Sequence, residues 1–134
     1  KAKKMIEVFI EKNKIRREQI ERAADEVRMR IFHKKSDPLT FEGSEEFEFM
    51  LLGALASIIS QETNKPAFIY KKSRKELLGS VRAPLGYDTV NAMQHCGQFL
   101  DVYGGHPQAS GFRTTPDMEQ GLRTCLVDYF KSKK

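Results

Sequence analysis

From Lys3 to Ile31 apolar residues return as Ile6, Phe9, Ile10, Ile20, Ala23, Val27 and Ile31, close to a 3.6-residue period, and charges fill the other face. The spacing predicts a long surface or connecting helix. Its middle, KNKIRREQIER, is thin in apolar residues, which predicts light packing or a bridge between two bodies. Asp37-Pro38 then breaks the helix, because proline lacks a donor and disfavours helix in the residue before it. Leu39 to Glu42 reads as a short strand leading to a turn at Gly43-Ser44. Ser44 is expected to cap a helix whose run from Phe49 to Ile59 is apolar almost all round and therefore buried. Within it Gly53, Ala54, Ala56 and Ser57 let another backbone come close.

Asn64-Lys65-Pro66 ends that helix. Ala67 to Lys72 and Leu77 to Ala83 then read as two core strands, joined as a hairpin through the basic turn Lys71-Lys72-Ser73-Arg74-Lys75. After an exit loop Pro84-Leu85-Gly86-Tyr87, Asp88 or Thr89 opens a helix from Val90 to Leu100 that ends near Gly104-Gly105. Gln108 to Thr114 predicts a short third strand. Pro116 sits in the first turn of a last amphipathic helix carrying Leu122, Cys125, Leu126, Tyr129 and Phe130. The class is α/β: a small mixed sheet flanked by helices, with a long charged amino-terminal connecting helix.

Composition narrows this picture. With 134 residues, 40% of them hydrophobic, and 9 Phe, the chain is long enough for one globular core. The net charge of +5 is unevenly placed: residues 1 to 35 hold 12 Lys or Arg against 6 Asp or Glu, whereas residues 36 to 134 hold 11 against 12. Two readings of the basic helix stay open, a track for phosphate backbone or a face merely solvated by mixed charge. Cys96 and Cys125 lie far apart within helical patterns and read as reduced, buried thiols, which points to the cytoplasm. No run of 18 apolar residues and no signal peptide is visible, so no membrane partner is expected. A start at Lys1 fits a piece of a longer chain.

The stretch VYGGHPQASGF, from Val102 to Phe112, carries the most chemistry. Paired glycines permit positive φ and present bare N–H groups to an anion. His106 adds a donor that becomes cationic beside a phosphate. Gly104, Gly105 and His106 thus form a candidate phosphate or carboxylate grip, or else a helix-ending turn beside a structural histidine. Arg82 is a second candidate, or reaches a surface carboxylate. Lys71, Lys72, Arg74 and Lys75 make a basic hairpin tip that either guides a polyanion or is simply solvated, and Arg113 alternates near the grip. His33 suits a helix end and His95 packing or surface; with His106 they are too scattered to form a metal-ligand constellation.

GSVRAPLGYDTVNAMQHCGQFLDVYGGHPQASGF resembles the DHH-associated domain of RecJ-like single-strand exonucleases, whose pattern is a Gly-Ser-x-Arg strand, a helix, then Gly-Gly-His followed by Ala-x-Gly. The similarity extends back through FEGSEEFEFMLLGALASIISQETNKPAFIYKK and covers most of the chain. Departures are mild: the family's Gly-Val or Gly-Leu helix opening is Phe49-Met50-Leu51-Leu52-Gly53 here, and its Ala-Ala-Gly is Ala109-Ser110-Gly111.

The resemblance implies that residues 36–134 bind nucleic acid and that residues 1–35 connect to a catalytic DHH domain of the same polypeptide. Gly104, Gly105 and His106 would contact phosphate, with Ser80 and Arg82 lining the same cleft and Arg113, Lys71, Lys72 and Arg74 as weaker contacts. The partner implied is single-stranded nucleic acid, and the reaction 5'-to-3' exonucleolytic cleavage. Mn or Mg is expected in the catalytic domain, where an Asp-His-His sequence holds metal; this chain has no such sequence, so it is expected to carry neither cofactor nor catalytic residue. Two alternatives remain: the superfamily's small-substrate branch, acting on short oligoribonucleotides, cyclic dinucleotides or phosphoadenosine phosphate, or a non-enzymatic scaffold. A fold-level relation to the carboxy-terminal region of alanyl-tRNA synthetase is also open, with the element order fitting RecJ-like proteins better.

Overall fold

The computed structural model describes residues 2–133. Alternation along the strands sorts the apolar residues into two cores, one on each side of a five-stranded sheet. The strands are β1 (Thr40–Ser44), β2 (Ala67–Lys72), β3 (Leu77–Arg82), β4 (Val102–His106) and β5 (Ala109–Thr114), in spatial order β1-β2-β3-β5-β4. β1 runs parallel to β2, and the other pairs are antiparallel. The helices are α1 (Ala2–Ile31), α2 (Leu52–Thr63), α3 (Thr89–His95) and α4 (Glu119–Ser132). This is the mixed α/β class that the periodicities predict.

Phe68, Tyr70, Leu77, Val81 and Phe112 point to one face and pack with Ala92 and Met93 of α3 and Leu122, Leu126 and Phe130 of α4. Ala67 and Ile69, one residue out of phase, point to the other face. They pack under Leu52, Leu55, Ala56 and Ile59 of α2 and under Ala24 and Val27 of α1. Only the carboxy-terminal part of α1 is held in this way. Arg28 clamps it to α2 through two bonds to the Glu62 carboxylate, at 2.9 and 2.6 Å, and that hydrogen bonding holds the Glu62 carboxyl below the usual carboxylate range. Ile6, Phe9 and Ile10 continue the same apolar stripe into solvent, each more than half exposed.

The two edges of the sheet differ. At the β1 edge every residue is buried, and the Arg30 guanidinium donates to the Gly43 carbonyl at 2.5 Å. The β4 edge is bare: Val102, Gly104, Gly105 and His106 are all exposed.

Four expectations require correction. Ser44 closes β1 and its hydroxyl accepts from the Glu46 N–H; it caps no helix, because a turn and a single 3₁₀ turn at Phe49–Leu51 intervene before α2. The third helix stops at His95 rather than Leu100, since Cys96 leaves helical geometry and Gly97 starts a new 3₁₀ turn. Gly104 and Gly105 therefore end no helix; they lie within β4. Cys96 and Cys125 are not free thiols but a disulfide joining the end of α3 to α4. Packing brings their Cα atoms to 5.9 Å, within bonding range, although 29 positions separate them in sequence.

Candidate nucleic-acid interface

Strand register brings distant candidates together. Ala67, Arg82, Ala109 and His106 are successive cross-strand partners, and the next row on the same face is Ile69, Ser80, Gly111 and Gly104. A third row runs Lys71, Leu78, Arg113 and Val102. Ser80, Arg82, Gly104, His106 and Arg113 thus belong to three adjacent rows, with Arg82 and His106 two strand spacings apart, about 10 Å. α2 packs on β2 and β3, leaving the β5 and β4 end of this face uncovered. There the floor is small: Ala109, Gly111 and Gly104, with nothing within 4 Å of where a Cβ on Gly104 would stand. A bare backbone shelf flanked by cations is suited to an anionic chain.

Arg82 is half-buried beneath α2, and its Nη1 donates to the Val81 carbonyl at 2.8 Å. Its guanidinium lies against Gly53, where an added Cβ would come within 2.8 Å of Nη2. The small-residue pattern of α2 thus admits a side chain, where the sequence suggested a backbone. Gly105 has φ +128°, and a Cβ there would meet the Ala109 carbonyl and the Ser110 Cα at 2.7 Å.

The turn after His106 is anchored from below. Thr89, fully buried, donates to the Pro107 carbonyl from its N–H at 2.9 Å and from its hydroxyl at 2.7 Å, and its hydroxyl also meets that of Ser110 at 2.7 Å. Gln108 Nε2 donates to the Tyr87 carbonyl at 3.0 Å. Sequence reading missed Thr89 and Ser110 as supports; the signal present was a hydroxyl at a helix start, already explained by capping. The cap is in fact Asp88, which accepts from the Asn91 N–H at 3.0 Å.

The basic hairpin tip does not act as one patch. Lys71 Nζ donates to the Glu45 and Phe47 carbonyls at 3.0 Å, whereas Lys72 points to the opposite face and pairs with Glu119 at 3.0 Å. Arg74 and Lys75 are exposed in the turn. Tyr70 also donates to Glu119. Burial works to raise that carboxyl, but its bonds from Tyr70 and Lys72 outweigh burial and hold it below the usual range. Burial, then the bond to this carboxylate, pushes the Tyr70 hydroxyl up. His33 and His95 lie exposed and outside the shelf. Among the described residues no three His, Cys, Asp or Glu side chains gather to hold a metal ion, and no helix is long and apolar enough to cross a membrane.

No protein-family model matches the chain, and no curated protein matches its sequence. Solved structures do. A RecJ exonuclease bound to manganese superposes with a TM-score of 0.82 over 97% of this chain at 20% identity. RecJ from Thermus thermophilus in complex with Mg2+ superposes with a TM-score of 0.75 over 90% of it, also at 20% identity. The chain carries a RecJ-like fold. It spans 32% and 18% of those two RecJ chains, respectively. The C-Ala domain of Aquifex aeolicus alanyl-tRNA synthetase also matches, at a TM-score of 0.53 and 19% identity, over 66% of this chain and 90% of its own. The RecJ-like match takes in nearly the whole chain, whereas the C-Ala match leaves a third of it outside.

Mg2+ and Mn2+ accompany the RecJ structures. The described residues of this RecJ-like chain offer no ligand cluster that fits such an ion, and no catalytic step is assigned to them.

Proposed function

We propose that this RecJ-like domain grips the phosphate backbone of single-stranded DNA and presents it to a metal-dependent exonuclease site carried elsewhere in a longer polypeptide. The observation that carries this reading is the cross-strand row Arg82, Ala109, His106, which runs from beneath the edge of α2 onto the half of the sheet that α2 leaves bare. Arg82 supplies a fixed cation, His106 a second donor, and Gly104 and Gly105 allow a phosphate to approach the backbone. Ser80 and Arg113 flank them, with Arg74 at the hairpin tip as an outer contact. Such contacts position a strand without reading its bases, so catalysis by the complete enzyme, 5'-to-3' by the family resemblance, is a matter of placement across a cleft between this domain and its DHH partner. Residues 1–35 form the connection. The cytoplasm is the compartment this reading implies, and there the Cys96–Cys125 pair would meet a reducing pool.

Fluorescence anisotropy with labelled single strands of about 4 and about 20 nucleotides at two salt concentrations tests the proposal. Tighter, salt-sensitive binding of the longer strand is expected, with most affinity lost in the double variant His106→Ala with Arg82→Ala. Equal affinity for both lengths would favour a small-substrate phosphoesterase, and unchanged affinity in the double variant would remove the grip.

A further inference from the structure

Beside the shelf, between α2 and the turn linking β4 to β5, lies a cleft of about 370 Å³. This is within the range of small-ligand sites. Ser57, Gln61 and Asn64 form one wall, and Arg82, Pro84 and Gln108 the other. Arg82 therefore belongs both to the shelf and to the cleft, and Gln108 follows His106 by two positions. A phosphate resting on Arg82 would therefore lie beside the mouth of this cleft, within reach of it for the attached sugar and base.

The cleft is chemically unlike the shelf. Its walls carry three carboxamides and two hydroxyls but no carboxylate, and carboxamides are the side chains that pair with base edges. Two of them are already oriented by the protein: Gln61 Nε2 donates to Ser57 Oγ at 3.1 Å and Gln108 Nε2 to the Tyr87 carbonyl at 3.0 Å. No described protein donor reaches their carbonyl oxygens, so these two acceptors stay open to a ligand, beside donors from Asn64 and Arg82. Acceptors suit the exocyclic amines of adenine, cytosine or guanine, which thymine lacks. The planar guanidinium of Arg82 and the ring of Pro84 supply flat walls.

We propose that this cleft is a nucleobase subsite that takes the amine-bearing base of the nucleotide held at Arg82. The proposal rests on the phosphate-grip reading and extends it from backbone positioning to recognition of one base.

The experiment compares three competitors of equal phosphate count in an anisotropy assay on the full chain: a tetramer of deoxyadenosine, a tetramer of thymidine, and a tetramer of abasic tetrahydrofuran sites. The deoxyadenosine tetramer is expected to compete about 10-fold better than the abasic one, as one well-seated base would give, with the thymidine tetramer between them. Gln61→Ala together with Gln108→Ala should bring the deoxyadenosine tetramer to the abasic value. Because Gln108 also ties down its turn, Gln61→Ala alone, at an exposed position on α2, serves as the second variant and should remove part of the preference. Arg82→Ala should weaken all three. Equal competition by base-bearing and abasic tetramers would overturn the base subsite and leave the grip standing, whereas no competition by any tetramer or by an unlabelled strand of about 20 nucleotides would overturn both.

Discussion

The Arg82 guanidinium occupies the space that a side chain at Gly53 would need: a Cβ on Gly53 would lie 2.8 Å from Nη2 and 3.6 Å from Cζ. A glycine in α2 thereby sets the position of a cation on β3, 29 residues further along the chain.

This relationship separates stability from binding. Gly53→Ala places a better helix former in α2, worth up to about 1 kcal/mol, and displaces only the end of a flexible side chain. The melting temperature is expected to hold or rise while single-strand affinity falls several-fold. A variant that binds as tightly as the parent would show that the placement of the Arg82 guanidinium does not matter for binding.

Gly105 is constrained by its own backbone. Its φ of +128° and the 2.7 Å approach to Ala109 and Ser110 leave no room for a β-branched residue. Gly105→Val should cost roughly 1–3 kcal/mol and distort the β4–β5 hairpin, lowering both thermal stability and binding. Gly104→Ala is the control: its Cβ enters open space, so folding should be retained, and a loss of affinity there reports close approach of a phosphate.

The disulfide is checked by thiol titration in denaturant, which should find no free thiol before reduction and two after. Closing a loop across 29 positions is worth about 3.6 kcal/mol, so reduction should lower the denaturation midpoint markedly. Two thiols titrating without reductant would restore the free-cysteine expectation.

Glu119 gives the protein an acid-side dependence. Its folded carboxyl is held below the ordinary value by Tyr70 and Lys72 against the opposing effect of burial. The stabilisation is therefore complete above the unfolded carboxyl's value of about 4.3 and disappears as pH falls through the lowered folded value. In Glu119→Gln, melting temperature measured from neutral pH down to about pH 3 should fall less steeply than in the parent.

Much of the architecture was legible because it depends on period. The short apolar run of β2, bounded by turn residues, and the spacing of Leu122, Leu126 and Phe130 were both readable locally. The ends of elements were harder, since a glycine pair signals a turn and a hairpin edge equally well. Only β5 approaching Gly104 and Gly105 decides between them. Cys96 and Cys125 illustrate the same limit, because their pairing depends on how α3 crosses α4, which no local pattern encodes. At the candidate site, the residue types were readable in Gly-Ser-x-Arg and Gly-Gly-His, and the shared rows follow from register. The supports, Gly53 under Arg82 and Thr89 under Pro107, arise from tertiary contact and left no periodic trace. The hairpin-tip lysines show the converse: charge visible in sequence can be consumed by carbonyls and by Glu119 once the chain folds.

Ser80, Arg82, Gly104, His106 and Arg113 all lie outside both apolar clusters. Exchanging the exposed side chains at positions 106 and 113 should therefore leave the energetics of folding almost untouched. Such a scaffold can explore new ligands by point substitution at the β4 and β5 end of one sheet, because the burial that keeps it folded sits on the opposite face and beneath α2. Selection for a polyanion, or for none, would meet little thermodynamic resistance there.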